Sequence, residues 1–464
     1  MSEERAEVKQ CDVVVVGAGA SGLAAARSAA RGGLAVTLVE RGAQVGGNLA
    51  TLRDGEWQSE IGPNTLIMKP PLYRLLQETG LLDEAQTARP QARKRYVVLD
   101  GQPVALPTHP LRAFGNPLIG RSGWAGIVRE PLVKRTGREE SLAAFVERRL
   151  GRRVLDYMVD PFVSGVYAGD PQRLSAQAAM PRLTALERDY GSLLRGGLAR
   201  FFQSRRQPSE LPAEWHGKLV GFPDGMQRLA ARLGEEISEA GGEIRCGCEV
   251  TAIRRDGEQW WVDGADGQRW CAPQLVLAVS APVAAALLKP LDEALAAPLE
   301  AIVYPPVNAV ALGFRRDDVA HALDGFGVLI PSVEKRLTLG ALFSSSIFDG
   351  RAPQGHCLIN AFIGGRRQPE AAAGSDDEQV AQVLADLGDL LGLQGEPVWQ
   401  RVNRWPQAIP QYEMGHLQRI AALDEALAQH SGLSMVGNWR DGIAVGDCLD
   451  NGRRLGERLS EPKA

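Results

Sequence analysis

The chain has 464 residues, 44% hydrophobic and 23% charged, with a formal net charge of −4 at pH 7. That length divides into two or three domains, the ordinary apolar fraction fits a soluble globular protein, and the slight acidity excludes a global nucleic-acid binder. Six scattered cysteines without a CxxC pair and six histidines without ligand spacing exclude a disulfide framework and a structural metal.

The N-terminal MSEERAEVKQ is charged and has no apolar core, so it does not read as a secretory signal. The longest apolar stretch, from Leu275, contains Pro282 and is too short to cross a bilayer. A cytoplasmic, reduced setting is expected.

Val13–Val16 predicts a short strand buried on both faces. Gly17, Gly19 and Gly22 follow as GxGxxG, with Ala18, Ala20 and Ser21 in the same loop. Gly17 permits the tight turn, Gly19 lets a ligand approach the backbone, and Gly22 lets the next helix lie close to the strand. That helix, expected from about Ser21 to Arg31, offers free N–H groups and a positive dipole end to a pyrophosphate. Leu34–Val39 is the next expected strand. Glu40 ends it, eighteen residues past Gly22, where an acid accepts hydrogen bonds from ribose hydroxyls. After Arg41, a second glycine pair arrives at Gly46 and Gly47, next to Asn48. A nicotinamide enzyme does not need that pair; a chain that clasps a buried FAD pyrophosphate from a second side does. Glu60-Ile61-Gly62-Pro63-Asn64 then gives a rigid turn able to pass beside a flavin ring.

Arg93 to Pro107 reads as a hairpin turning at Asp100-Gly101. Residues 111–153 carry ten Lys/Arg against four acids, with Leu111, Phe114, Leu118, Ile119, Trp124, Ile127 and Val128 between them. That composition suits a surface resting on anionic lipid, or a solvated basic helical face. Residues 141–205 look helical. Residues 219–285 return to α/β patterning, with a helix Met226 to Glu239, and 300–365 alternate strands with turns. A helix Glu378 to Leu391 leads to GNWRDGIAVGDCLDNG, where a glycine loop enters a helix near Ile443. The N-terminus of that helix faces the electron-rich end of a flavin by the same dipole logic.

These motifs carry a resemblance. GAGASGLAAA, EIGPN, PFVSGVYAGDPQRLS, GFGVLIP, LGALFSSSIFDGRAP, AFIGG, WPQAIPQYEMGH and GNWRDGIAVGDCLDNG together resemble the oxygen-dependent protoporphyrinogen oxidases of the flavin-containing amine oxidase superfamily, over nearly the whole chain. The resemblance implies an α/β fold. A Rossmann-like FAD-binding domain (1–85, 215–285 and 405–464) receives an inserted mixed α+β substrate domain (86–110 and 286–404) and a helical, membrane-associating subdomain (111–214). It implies non-covalent FAD held by Gly17, Ala18, Gly19, Ala20, Ser21 and Gly22 at the pyrophosphate, Glu40 at the ribose and Arg41 near the adenosine. Gly46, Gly47, Asn48, Gly62, Pro63, Asn64 and Thr65 line the flavin side, and Val250 meets the adenine through its backbone. Trp405 lies by the ring system, and Gly437, Ile443, Ala444 and Val445 approach its pyrimidine end.

For substrate, the resemblance implies a porphyrinogen with one propionate on Arg95, the ring between Leu329, Leu342 and Phe362, and Gly169 in the loop nearest it. The implied reaction is six-electron oxidation of protoporphyrinogen IX to protoporphyrin IX, with O2 as acceptor and H2O2 as product. No catalytic side chain is implied, since the cofactor supplies the reactivity. His416 and Cys448 read as structural. The chain departs from the family at Asn48, where many relatives have Lys or Arg, and at Ala341, where the usual motif has Thr. Coproporphyrinogen III oxidation, a flavin amine oxidase or carotene-desaturase activity, a flavin-dependent sugar-nucleotide mutase and a non-catalytic FAD scaffold stay open as alternatives. So do a homodimer and peripheral attachment to the inner face of a membrane.

Overall fold

The computed structural model describes residues 8–107, 115–204 and 209–461. Val13–Val16 is the middle strand of a five-stranded parallel sheet in the order Glu243–Arg245, Val36–Val39, Val13–Val16, Gln274–Leu277, Leu433–Met435. All four valines are buried because both faces of the sheet are covered. Val13 and Val15 pack beneath the helices Ala20–Arg31 and Gln227–Glu239. Val14 and Val16 pack against Trp260 and Trp270, which belong to a four-stranded sheet, and against the helix Ala281–Leu288. The first helix begins at Ala20, one residue before the expected start, and the second strand is shorter than expected, Val36–Val39. Asp376–Leu391 starts two residues earlier than expected because Ser375 and Glu378 form a capping box.

The C-terminal helix Val445–Ser460 lies along Ala20–Arg31. A Cβ on Gly452 would stand 2.2 Å from the Ser21 carbonyl oxygen, and one on Gly456 2.3 Å from that of Ala25. The two helices therefore approach backbone to backbone, and only glycine fits at these two positions.

The second unit is a seven-stranded mixed sheet in the order Trp399–Trp405, Val307–Arg315, His356–Gly364, Thr338–Leu342, Gly327–Leu329, Tyr96–Leu99, Gln102–Ala105. The hairpin expected around Asp100-Gly101 forms its edge, with both turn residues at positive φ. One face of this sheet packs on the helix Asp376–Leu391 through Val310, Leu312, Ile359, Ile363, Val383 and Leu387. Trp405 closes the edge strand of this sheet, so the strand runs through the boundary expected at 405. The helix Glu293–Glu300 packs with Trp260 and Trp270, which places it with the dinucleotide half.

The helical unit has its own core, including Leu142, Phe145, Val146, Val163, Tyr167 and Leu174. It is docked by a largely buried ion pair between Asp160 and Arg367, by a hydrogen bond from the Ser332 N–H to Asp160 (2.8 Å), and by the Arg366 N–H on the Ala168 carbonyl (2.7 Å).

Candidate active site

The glycine loop divides into packed positions and an open one. A Cβ on Gly17 would lie 2.7 Å from the Ala278 carbonyl oxygen, and one on Gly22 only 1.9 Å from that of Gly17. A Cβ on Gly19 would meet nothing within 4 Å. The fold itself forces glycine at 17 and 22, whereas Gly19 is bare toward open space, as a backbone that admits a pyrophosphate requires. The helix that starts there has no side-chain cap, so its first N–H groups are free for a ligand.

The second glycine pair lies on this loop. Gly46 donates its N–H to the Ala18 carbonyl (2.8 Å), and Gly19 and Gly46 form a parallel bridge. Glu40 accepts from the N–H groups of Ala18 and Gly42, both at 2.7 Å. Its backbone bonds to Arg245 and Cys248 bring the segment leading to Val250 beside it. Arg41 and Asn48 are exposed. Gly62 must be glycine because a Cβ would stand 2.2 Å from the Asn48 carbonyl oxygen, and Asn64 donates to the Gly62 carbonyl (3.1 Å). The helix Val445–Ser460 also begins without a side-chain cap at Ala444. Its first turn holds an acid, Asp447, which Lys69 neutralises at 2.8 Å. Neither Lys69 nor this compensation was visible in the sequence motif. These residues fit FAD, with a bare pyrophosphate cradle, a ribose acid and a second free helix end.

Strand pairing brings the residues expected around the substrate, with Trp405, to one face. Phe362 pairs with Gly340 and Ala309, Leu342 with Asn360 and Gly327, Leu329 with Gly340 and Val97, and Trp405 with Val307. Because side chains alternate along a strand, Leu329, Leu342, Phe362 and Trp405 share the face opposite the Asp376–Leu391 helix. Each is half-buried. Trp405 packs with Phe362 and Ala168, and its indole N–H donates to the Ile61 carbonyl (3.2 Å), which ties the Gly62–Thr65 turn to this sheet. Leu329 lies against Gly165 of the helix Asp160–Tyr167, so the helical unit forms the opposite wall.

Arg95 stands exposed at the rim, its guanidinium 5.1 Å from the Phe326 ring centroid. Among the described residues no carboxylate pairs with it. Lys94, its neighbour in the basic run, is held by Asp324, to which the Tyr96 hydroxyl also donates. Gly169 sits on Gln411, and Phe326 sits under Arg95; neither partner is evident from the sequence. Gln411 offered one signal, a polar residue inside the apolar run of WPQAIPQY. Asn360, fully buried on the same face, has no hydrogen-bond partner among the described residues for either amide atom.

Other candidates are inert. His416 is buried and stacked on Tyr412 at 4.1 Å, and burial with Arg419 nearby pushes it down to about 4. Burial pushes the Cys448 thiol up to about 11, so it is no thiolate. All six cysteines are free, and among the described residues no cluster could hold a metal.

The basic segment is less exposed than its composition suggests. Arg149 is buried between Glu130 and Glu187, Arg148 pairs with Glu140 and Glu187, Arg152 pairs with Asp156, and Arg153 donates to the Pro117 carbonyl. Leu111, Arg112 and Phe114 lie outside the described residues. Among the described residues no helix is long and apolar enough to cross a membrane.

The family model of the flavin-containing amine oxidoreductases matches residues 20–459. The chain is 33% identical to protoporphyrinogen oxidase 2 of Arabidopsis thaliana, over 95% of this chain and 92% of that protein. It is 27% identical to the coproporphyrinogen III oxidase of Bacillus subtilis, over 95% and 96%. A crystal structure from Exiguobacterium, provisionally named a protoporphyrinogen oxidase, superposes with a TM-score of 0.81 at 24% identity over 98% of this chain and 99% of that one. A reduced UDP-galactopyranose mutase superposes at 0.74 with 16% identity, over 97% and 93%. The chain belongs to the flavin-containing amine oxidoreductases and, within them, to the protoporphyrinogen oxidase family. It is an oxidoreductase, and its cofactor is FAD.

Proposed function

We propose that this enzyme oxidises protoporphyrinogen IX to protoporphyrin IX, with O2 as the final acceptor and H2O2 as the by-product. The observation that carries the reading is the sheet face of Leu329, Leu342, Phe362 and Trp405 with Arg95, a cation unpaired among the described residues, at its rim. A large, apolar, non-planar ring bearing carboxylates needs that arrangement of apolar walls and a peripheral cation.

When bound, FAD accepts the six electrons two at a time, so three passes complete one ring. The chain's own residues bind and orient. Gly17 to Gly22 take the pyrophosphate, Glu40 the ribose, and Val250 the adenine through its backbone, with Arg41 near the adenosine. Gly46 to Asn48 and Gly62 to Thr65 line the flavin side, while Trp405, Gly437 and Ile443 to Val445 surround the ring. Arg95 holds a propionate in its planar fork, the aliphatic and aromatic face excludes water, and Gly169 sits closest to the ring. The FAD is non-covalent, since the buried, protonated Cys448 is unsuited to attachment.

A second reading, coproporphyrinogen III oxidation, draws on the Bacillus relative. It places four carboxylates around the ring, where Lys94 is already held by Asp324. A sugar-nucleotide mutase needs a cationic diphosphate groove in place of this apolar face. Peripheral contact with an anionic membrane belongs to the same proposal. Its apolar part rests on Leu132 and Val128, 80% and 74% exposed.

The test supplies each porphyrinogen to the FAD-loaded enzyme and follows porphyrin fluorescence while counting peroxide. Faster growth with protoporphyrinogen IX, at three peroxides per porphyrin, is expected from the electron count. Fluorescence growth with coproporphyrinogen III alone would select the second reading, and none with either would remove both.

A further inference from the structure

Gln411 and Tyr412 are adjacent, both buried, and bond in opposite directions. The Gln411 amide nitrogen donates to the Tyr167 carbonyl (2.8 Å) and to the Ile409 carbonyl (3.0 Å). The Tyr412 hydroxyl donates to the Asn438 carbonyl (2.6 Å) and accepts the Gly442 N–H (3.0 Å). The first set holds the turn that ends the helix Asp160–Tyr167, on the wall of the apolar cavity. The second holds the loop that feeds the uncapped helix Val445–Ser460.

The cavity turn is strained. Ala168 adopts φ +46°, ψ +36°, a left-handed conformation that is unfavourable for a residue bearing a side chain. Such a conformation persists only where its surroundings over-determine it, and here they do. The Ala168 carbonyl accepts the Arg366 N–H at 2.7 Å, and Gly365 packs so close that a Cβ there would lie 2.6 Å from the same oxygen. Gly169 rests on Gln411 itself: a Cβ on Gly169 would stand 2.8 Å from Gln411 Oε1, an oxygen with no hydrogen-bond partner among the described residues.

We propose that Gln411 and Tyr412 form a positioning strut that sets the separation between the Tyr167–Gly169 turn and the Asn438–Val445 loop. Resting on the porphyrinogen reading above, the strut fixes how far the substrate ring stands from the flavin. Transfer between two bound rings requires reacting atoms about 3–3.5 Å apart, and a displacement of about 1 Å costs up to about a hundredfold in rate. Neither residue touches the reacting atoms.

The test uses FAD-loaded wild type, Gln411→Met, which keeps side-chain length and removes both donors, and Tyr412→Phe, which removes one hydroxyl. Anaerobic bleaching of the flavin by protoporphyrinogen IX gives a limiting rate and an apparent affinity separately; FAD content and the visible circular dichroism of the flavin are measured alongside. The limiting rate is expected to fall about 10- to 100-fold in Gln411→Met, with apparent affinity changed less than about threefold and FAD content intact. Flavin dichroism should change in both variants. Unchanged limiting rates in fully flavinated variants would overturn the strut, and so would a loss that only tracks loss of FAD. If wild-type flavin resists bleaching by any porphyrinogen, the substrate reading fails instead. The strut is then decided by the dichroism, unchanged spectra overturning it.

Discussion

Lys94 and Arg95 are sequence neighbours with opposite fates: Lys94 is bound to Asp324, while Arg95 lies over the Phe326 ring and, among the described residues, pairs with no carboxylate. The pair gives the basic run Arg93-Lys94-Arg95 a definite register toward the cavity. A charge-assisted contact to a carboxylate contributes roughly 1.5–3 kcal/mol. Arg95→Ala is therefore expected to reduce kcat/KM for the porphyrinogen about 10- to 100-fold with FAD content unchanged. Lys94→Ala should leave kcat/KM within about threefold of wild type, since its ammonium is already occupied. Steady-state kinetics of the two variants side by side checks the register, and the reverse pattern would reject it.

Gly19 and Gly22 should fail differently. Gly19→Val adds atoms where the protein has none, so the apoprotein should keep its melting temperature and purify colourless. Gly22→Ala drives a methyl group to 1.9 Å from the Gly17 oxygen and should give insoluble or destabilised protein. Absorbance at flavin wavelengths and melting of the apo forms separate the two. A yellow, fully flavinated Gly19→Val would refute the cradle.

His416 makes the fold acid-sensitive. Its folded value of about 4 lies below the roughly 6.5 of an unfolded histidine. The unfolded chain therefore binds the extra proton, and stability present above pH ~6.5 is lost as pH falls toward 4. The loss amounts to about 3 kcal/mol by pH 4. Glu139 and Arg419 are the charged side chains near the ring. His416→Phe keeps the stack on Tyr412 and should flatten this part of the profile in denaturant titrations between pH 7 and 4. Parallel profiles for the two proteins would contradict it.

Lipid contact should be modest and charge-dependent. With Arg148 and Arg149 committed to internal acids, fewer cations remain than the sequence count suggests, each contributing about 1 kcal/mol near an anionic surface. Co-sedimentation with phosphatidylserine vesicles should exceed that with neutral vesicles and fall with added salt. Equal, salt-insensitive recovery from both would dismiss the surface.

The local parts of this protein were legible and the assembled parts were not. The glycine loop, Glu40 and the Asp100-Gly101 hairpin declare themselves within a few residues, because turn chemistry and alternation are local. The sheet face proposed for the substrate is built by pairing Tyr96–Leu99 with Gly327–Leu329 and Leu342 with Asn360, across separations that no local pattern encodes. Without the family motifs, Leu329, Leu342 and Phe362 are merely apolar. Charge counting misled at Arg149 because its partner Glu187 is distant in sequence. Gln411 does not declare its role, because a polar residue in an apolar run signals burial without naming its partner.

The close contact of Gly452 with Ser21 and of Gly456 with Ala25 makes the first and last helices parallel, and it also fixes their offset. Ser21 lies one residue into its helix and Gly452 seven into its own. At 1.5 Å per residue, the two N-termini are staggered by about 9 Å along a common direction. The fold thus carries a built-in ruler with two positive marks: one at the cradle proposed for the pyrophosphate, and the other one short span further along. The ruler is calibrated by two missing methyl groups. Enlarging Gly452 would push the marks apart sideways, and sliding the helices by one turn would shift one mark by about 5.4 Å, leaving a ligand of fixed length able to satisfy only one of them.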